Sequence, residues 1–179
     1  MTIDTLAKQG RDRIHNGLAG IDTQRLKAMR NKSLRACFNR FEDTRYRMEF
    51  VARVRGREYI NDAASRNINA TWYAMESIPG GLIWIADGGD SASDYSRLVP
   101  SALRKVRMLI IVNGDASRLQ KTFTGIIPAI YEAPSMSAAL KKAYYYEQND
   151  VKVLYSPASH NGVTTTELGE NFRREVNEL

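Results

Sequence analysis

The chain has 179 residues, a length that suits one domain with room for an appendage. It is 43% hydrophobic and 26% charged, ordinary for a folded soluble chain, and no apolar run approaches the roughly 18 residues of a membrane span. The formal net charge of +6 is uneven, with 14 Lys/Arg against 6 Asp/Glu in residues 1–57 and 12 against 14 in residues 58–179.

Cys37 is the only cysteine, which excludes an internal disulfide, and with two histidines it leaves no expected metal site. The opening "MTIDTLAKQGRDRIHNG" has no apolar core, so no secretory signal is read there and a cytoplasmic location is expected. A basic block can bind nucleic acid or another polyanion. Here the basic residues are interleaved with apolar ones and no nucleic-acid motif accompanies them, so a solvated helix face or a protein contact is the preferred reading.

Residues 1–20 read as a polar arm. A helix is expected from Asp22 to about Phe41, with Leu26, Met29, Leu34, Cys37, Phe38 and Phe41 on one stripe, and residues 1–44 form a basic helical extension. In "RMEFVARVRGREYIND", Met48, Phe50, Ala52 and Val54 alternate with Glu49, Val51, Arg53 and Arg55. The pattern reads as a strand with one covered face, a turn at Arg55-Gly56 and a return strand, Arg57 to Ile60. Helix follows from Asn67 to Ser77, ended by "PGG". Strands are then expected at 82–86, 107–112, 125–131 (Pro-containing, hence at an edge) and 151–155. Helices are expected at 96–105, 116–123, 135–148 with Ser135 as cap, and 167–177. The tyrosines at 144–146 read as core plus an amphipathic edge. Alternating strands and helices imply an α/β, Rossmann-like three-layer domain over 45–179, with a mostly parallel sheet and an N-terminal β-hairpin.

Three stretches invite chemistry. "ADGGDSAS" (86–93) lies between a strand and a helix, where a phosphate loop could sit. The chain has no Gly-Lys-Ser/Thr, so neither the phosphate-reaching lysine nor the Mg²⁺-holding hydroxyl of a P-loop is present, and a turn is the better reading. Asp87, Asp90 and Asp94 lack the ligand order of a calcium loop and rate as turn residues. In "VLYSPASHNG", Ser156 and His160 suggest a hydrolase pair. There is no Gly-x-Ser-x-Gly, and Pro157 removes an N–H that an oxyanion hole could use, so His160 reads as a surface loop residue.

Taken together, "YRMEFVARVRGREYINDAASRNINATWYAME" (46–76), "GGLIWIADGGDSASDYSRL" (80–98) and "SMSAALKKAYYYEQNDVKVLYSPAS" (135–159) resemble the C-terminal domain of the Mur ligases. The nearest likeness is to the D-glutamate-adding branch. The family reads roughly His-Arg-x-Glu, a hairpin, Asn-Asp-Ser-Lys-Ala-Thr-Asn, a Gly-Gly-x-Asp-Lys loop and a last strand ending in Ser-Pro-Ala-Cys. The resemblance implies a Rossmann-like domain that closes over ATP and helps hold D-glutamate in peptidoglycan precursor synthesis, a cytoplasmic and bacterial process.

The departures imply lost ligase chemistry. Ala64 and Ser91 stand where the family has lysines, Arg66 where it has the threonine that contacts D-glutamate, and Asn161 where it has a serine. Losing a lysine that pairs with a carboxylate removes about 1.5–3 kcal/mol of charge-assisted bonding, and two such losses together with those of the threonine and the serine should abolish useful D-glutamate binding. Aligning Gly169 with the family's loop glycine shortens the segment before it. The resemblance also covers neither an ATPase domain nor a UDP-binding domain. Arg47, Asn61 and Asp62 match family residues on the nucleotide side, which implies residual ATP or phosphate binding. The preferred alternative is structural, with Asp62 capping the helix at 67 or turning the hairpin and Arg47 paired to Glu49 or another carboxylate. No catalytic residue and no resident cofactor are expected. A full-length Mur ligase or another cell-wall enzyme is the expected partner. The expectation is a pseudoenzyme-like binding or regulatory module. The alternatives are the third domain of a split ligase acting in trans, or a small nucleotide- or sugar-phosphate-binding protein.

Overall fold

The computed structural model describes residues 45–89, 93–148 and 150–179. The expected basic extension over 1–44 and the expected substrate position Ser91 lie outside the described residues.

Six strands form one sheet: β1 (Glu49–Val54), β2 (Arg57–Asn61), β3 (Gly81–Asp87), β4 (Val106–Val112), β5 (Ile130–Glu132) and β6 (Val151–Tyr155). Their spatial order is β1-β2-β6-β3-β4-β5, and all pairings are parallel except β1 with β2. Among the described residues five α-helices flank them: α1 (Ile68–Ser77), α2 (Val99–Lys105), α3 (Ser117–Phe123) and α4 (Met136–Tyr144) between strands, and α5 (Thr165–Asn177) after β6. Residues of α1, α2 and α3 pack with Trp84, Leu109 and Leu154 on one face. Residues of α4 and α5 pack with Ile83, Ile110 and Val153 on the other. The central strand β3 is buried along its whole length, which is why it reads as an uninterrupted apolar run.

Local chemistry sets the boundaries. Both hairpin turn residues have positive φ, +50° at Arg55 and +76° at Gly56, the geometry of a turn matched to strand twist. Asn67 caps α1 by accepting the Ala70 N–H at 3.0 Å, and Ser135 caps α4 through the Ala138 N–H at 3.2 Å. Thr164 and Glu167 close a reciprocal capping box at the start of α5.

Several expectations need correction. A bulge between Phe50 and Ala52 breaks the period-two pattern of β1. Phe50 is therefore exposed, while Val51, Ala52 and Val54 pack against the α4/α5 core. A 3₁₀ turn, Tyr95–Leu98, precedes α2, so the helix expected at 96–105 begins only at Val99. The edge strand β5 starts five residues later than expected, beyond Pro128, which cannot donate to the ladder. α4 ends at Tyr144, where Arg57 collects the carbonyls of Ala143, Tyr144, Tyr146 and Gln148. Of the three tyrosines Tyr146 packs, partly buried, against the core on this face, Tyr144 is half-buried and Tyr145 is 72% exposed. Gly169 is a helical residue of α5, not a loop glycine, and the Tyr46 ring fills the space its side chain would take.

Candidate functional site

The carboxyl ends of β2, β6, β3 and β4 meet at one edge of the sheet. Here α1 leaves β2 on one face and α5 leaves β6 on the other, the crevice position where open α/β sheets place ligands. Ser-Pro-Ala extends the β3–β6 ladder: Ser156 N–H donates to the Ile85 carbonyl at 3.0 Å and Asp87 N–H to the Pro157 carbonyl at 3.2 Å. Trp84 Nε1 donates to the Ser156 carbonyl at 2.9 Å. Ala158 then takes φ +60° and donates its N–H to the Ser65 carbonyl at 3.0 Å, which turns the chain out of the sheet.

Strand alternation splits the polar groups between the two faces. Asp62 lies on the α1 side and is fully buried. Its carboxylate accepts from Met48 N–H at 3.2 Å and Ser156 Oγ at 3.1 Å, and Arg47 Nη1 stands 3.9 Å away. Ser156 Oγ is in turn 2.9 Å from Thr71 Oγ1. Burial pushes the Asp62 carboxyl up to about 6 against the counteracting pull of Arg47, Ser65, Met48 N–H and Ser156. Arg47 also donates to Ser65 Oγ at 2.8 Å and the Ala64 carbonyl at 3.0 Å.

Asp87 ends β3 on the α5 side. Its carboxylate accepts from Asn113 Nδ2 at 3.1 Å, Tyr155 Oη at 3.2 Å and Asn161 Nδ2 at 2.8 Å. Burial raises this carboxyl to about 6, and the three donors and Arg66 hold it lower than burial alone would. Arg66 Nη2 donates to Asn161 Oδ1 at 3.3 Å, completing a relay from the β2–α1 connection to the end of β3. In front of this relay opens a cleft of ≈ 560 Å³ lined by Gly88, Gly89, Asn113, Asn161, Val163 and Leu168 among others. Backbones meet closely at its floor, where Gly88 N–H donates to the Val112 carbonyl at 2.8 Å and Gly89 N–H to the Asp115 carbonyl at 2.9 Å. A Cβ on Gly88 would stand 2.7 Å from the Asp115 carbonyl oxygen, so glycine is required there.

The expected site residues sort clearly. Arg47 and Asp62 come together, buried, and Asn61 turns to the opposite face to hold Glu49 and the Gly169 carbonyl. Asn67 rather than Asp62 caps the helix, and Arg47 pairs with Asp62 rather than Glu49. Ala64 contributes its carbonyl to Arg47. Arg66 and Asn161, far apart in sequence, bond directly. Ser156 is buried against Asp62 and Thr71, whereas His160 is exposed, so these two form no nucleophile–base pair. Asp94 caps the N–H of Ser96, while Asp87 points into the sheet edge, so they do not share a ligand set. Among the described residues no cluster of three His, Cys, Asp or Glu could hold a metal. Sequence reasoning took Asp87 for a turn residue and missed Asn113, Tyr155, Thr71 and Trp84 as partners. The available signal was an acidic residue closing a wholly apolar strand, which must find donors or stay protonated.

Fold and site define an α/β domain with a polar network at its strand switch point. The fold recurs in folylpolyglutamate synthase from Thermotoga maritima, with a TM-score of 0.53 over 83% of this chain and 34% of that one, at 13% identity. In sequence the chain is 35% identical over 179 residues to the UDP-N-acetylmuramoylalanine–D-glutamate ligase of Porphyromonas gingivalis, covering 98% of this chain. It is 33% identical over 182 residues to the ligase of the same name from Salinibacter ruber. The chain spans about two fifths of these curated relatives, 40% of each. The chain thus resembles the C-terminal domain of the Mur ligases, most nearly the D-glutamate-adding enzyme. No protein-family model matches it. Among the described residues no helix is long and apolar enough to cross a membrane.

Proposed function

We propose that the chain is a MurD-like C-terminal domain without ligase activity of its own, serving peptidoglycan precursor synthesis in the cytoplasm as a binding or regulatory module. One observation carries this reading. Arg66 and Asn161 stand at two of the positions where the resemblance implies D-glutamate contacts, and they are engaged with each other and with Asp87. Ala64 offers no side-chain donor at a third. An amino-acid carboxylate needs fixed, charge-assisted donors, and here Arg66 donates through Nη2 to an internal acceptor. A full-length Mur ligase or another cell-wall enzyme is the partner this reading favours. The test is ligation of D-glutamate to UDP-N-acetylmuramoyl-L-alanine with ATP, followed by ADP release. The purified chain should give no turnover above a blank without protein, and turnover would refute the reading.

A second reading is supported by similarity that runs along essentially the whole chain and only two fifths of the ligases: the chain supplies the third domain, in trans, to a separate ATPase polypeptide. Mixing the chain with such a polypeptide would then restore ADP release that neither gives alone. Arg47 and Asp62 are buried and bonded to one another's surroundings, so residual ATP binding through them has less support than either reading.

A further inference from the structure

The segment after Ser-Pro-Ala is held first by Ser159, whose Oγ donates to the Asp87 carbonyl at 3.3 Å, and beyond it by the side chain of Asn161. Asn161 donates to Asp87 Oδ2 at 2.8 Å, and its Oδ1 accepts from Arg66 Nη2 at 3.3 Å and from Val163 N–H at 3.2 Å. Its carboxamide therefore spans three segments: the end of β3, the β2–α1 connection and its own loop. Neighbouring His160, Gly162, Val163 and Thr164 are exposed, and the side chain of Thr164 is spent on the α5 capping box. Asn161 and Val163 also line the cleft, so whatever holds Asn161 sets the cleft wall.

We propose that Asn161 is a latch that fixes the 160–163 loop against the cleft, and that its hold is governed by whether Asp87 is ionised. The groups that face Asp87 are Asn113 from the β4–α3 connection, the Tyr155 phenol from β6, Asn161 from the loop, and the Arg66 guanidinium, whose field reaches it from the β2–α1 connection. Among the described residues Arg66 is the charged group that acts on this carboxylate. With Asp87 ionised, the Asn161 bond is charge-assisted and Arg66 completes a cation–amide–carboxylate chain. A proton on Asp87 turns that bond into a neutral one, about half as strong, and places a donor where the carboxylate had only acceptors. Asn161 then loses its reason to present Nδ2 inward and Oδ1 to Arg66 and Val163. Burial holds this carboxyl at about 6, so the latch operates within the range of ordinary buffers. The inference concerns the loop alone and stands whether or not the chain takes part in ligation.

The test is an NMR titration of the 179-residue chain from pH 7.5 to 4.5, following the Asn161 side-chain amide and the Val163 backbone amide, with hydrogen exchange of Val163 corrected for intrinsic rates. Both resonances should shift with a common midpoint near 6, and Val163 exchange should rise about fivefold on the acid side. In Asn161→Ala, Val163 should exchange at the faster rate at both ends of the range and the pH step should vanish. A wild-type loop that does not respond between pH 7.5 and 5, or a step that survives in Asn161→Ala, overturns the proposal.

Discussion

Asp62 and Asp87 have an unusual consequence for stability. Each carboxyl is raised by burial to about 6 in the folded chain against 3.8 when exposed, and each is enclosed by protein rather than solvent. A raised folded-state value means that the folded form binds protons more tightly than the unfolded form. Stability from these groups is therefore fully present below about 3.8 and is lost as pH rises through about 6. From pH 7.5 to 5 the folded carboxyls take up their protons while unfolded ones do not. Integrating the linkage over that window gives about 1.4 kcal/mol of added stability per group, about 3 kcal/mol for the pair. The lowered carboxylates Glu58, Asp94, Asp115 and Glu167 act in the opposite sense, but only as pH falls below the ordinary carboxylate range.

Asp62→Asn is the discriminating perturbation. An amide Oδ1 can still accept the Met48 N–H, and its Nδ2 can donate to Ser156 Oγ if that hydroxyl passes its own proton to Thr71 Oγ1. Thr71 can pass the chain on to the Ser65 carbonyl at 3.4 Å, so the Ser156 hydroxyl keeps both an incoming donor and an acceptor for its own proton. Arg47 keeps Ser65 Oγ and the Ala64 carbonyl. Urea unfolding of the wild-type chain should show stability increasing by about 3 kcal/mol from pH 7.5 to 5, and Asp62→Asn should retain about half of that rise. Wild-type stability that is flat or falls over this window would refute the reasoning, as would a variant that keeps the full rise.

Two further substitutions probe how the frame around the site is held. Gly169→Ala would put a Cβ 2.2 Å from Tyr46 Cγ, so the helix-propensity gain of about 1 kcal/mol is overridden and a net loss of about 1–3 kcal/mol is expected in thermal unfolding. The double variant with Tyr46→Ala should recover part of that loss, because the obstructing ring is gone. Arg57→Leu removes a guanidinium that serves four carbonyls at the end of α4, and a loss of about 3–5 kcal/mol in denaturant unfolding is expected, with Arg57→Lys intermediate.

Much of the fold was legible because local rules agree. The apolar run Leu82–Ala86 could only be a buried strand, Ser135 is a cap by chemistry, and Arg55-Gly56 is a turn. The misreadings came where a nonlocal partner overrides a local pattern. The bulge at Phe50/Ala52 shifts which face of β1 is covered, and no period within six residues reveals it. The end of α4 is set by Arg57, 86 residues away in sequence from Ala143, so helix propensity in "AYYYEQ" could not locate it. Gly169 looked like a loop glycine by alignment, and its real requirement is the Tyr46 ring.

The site follows the same division, and this bears on function. Its position was readable, because strand ends at a switch point follow from the order of elements. Its wiring was not, because each decisive bond joins residues that sequence keeps apart: Asp62 to Ser156, Asp87 to Tyr155, Arg66 to Asn161. Reading the family positions one at a time treated Arg66 and Asn161 as two separate losses. In space they are one unit, a guanidinium that donates to a carboxamide which in turn fastens the loop to Asp87. A site that had merely decayed would leave buried Asp87 short of donors, at a cost of about 1–3 kcal/mol or more. Asp87 instead has three, and one of them is Asn161 itself. Substituting Arg66 alone should therefore loosen Asn161 and the loop without creating an open amino-acid pocket, because Asn161 would keep its bond to Asp87.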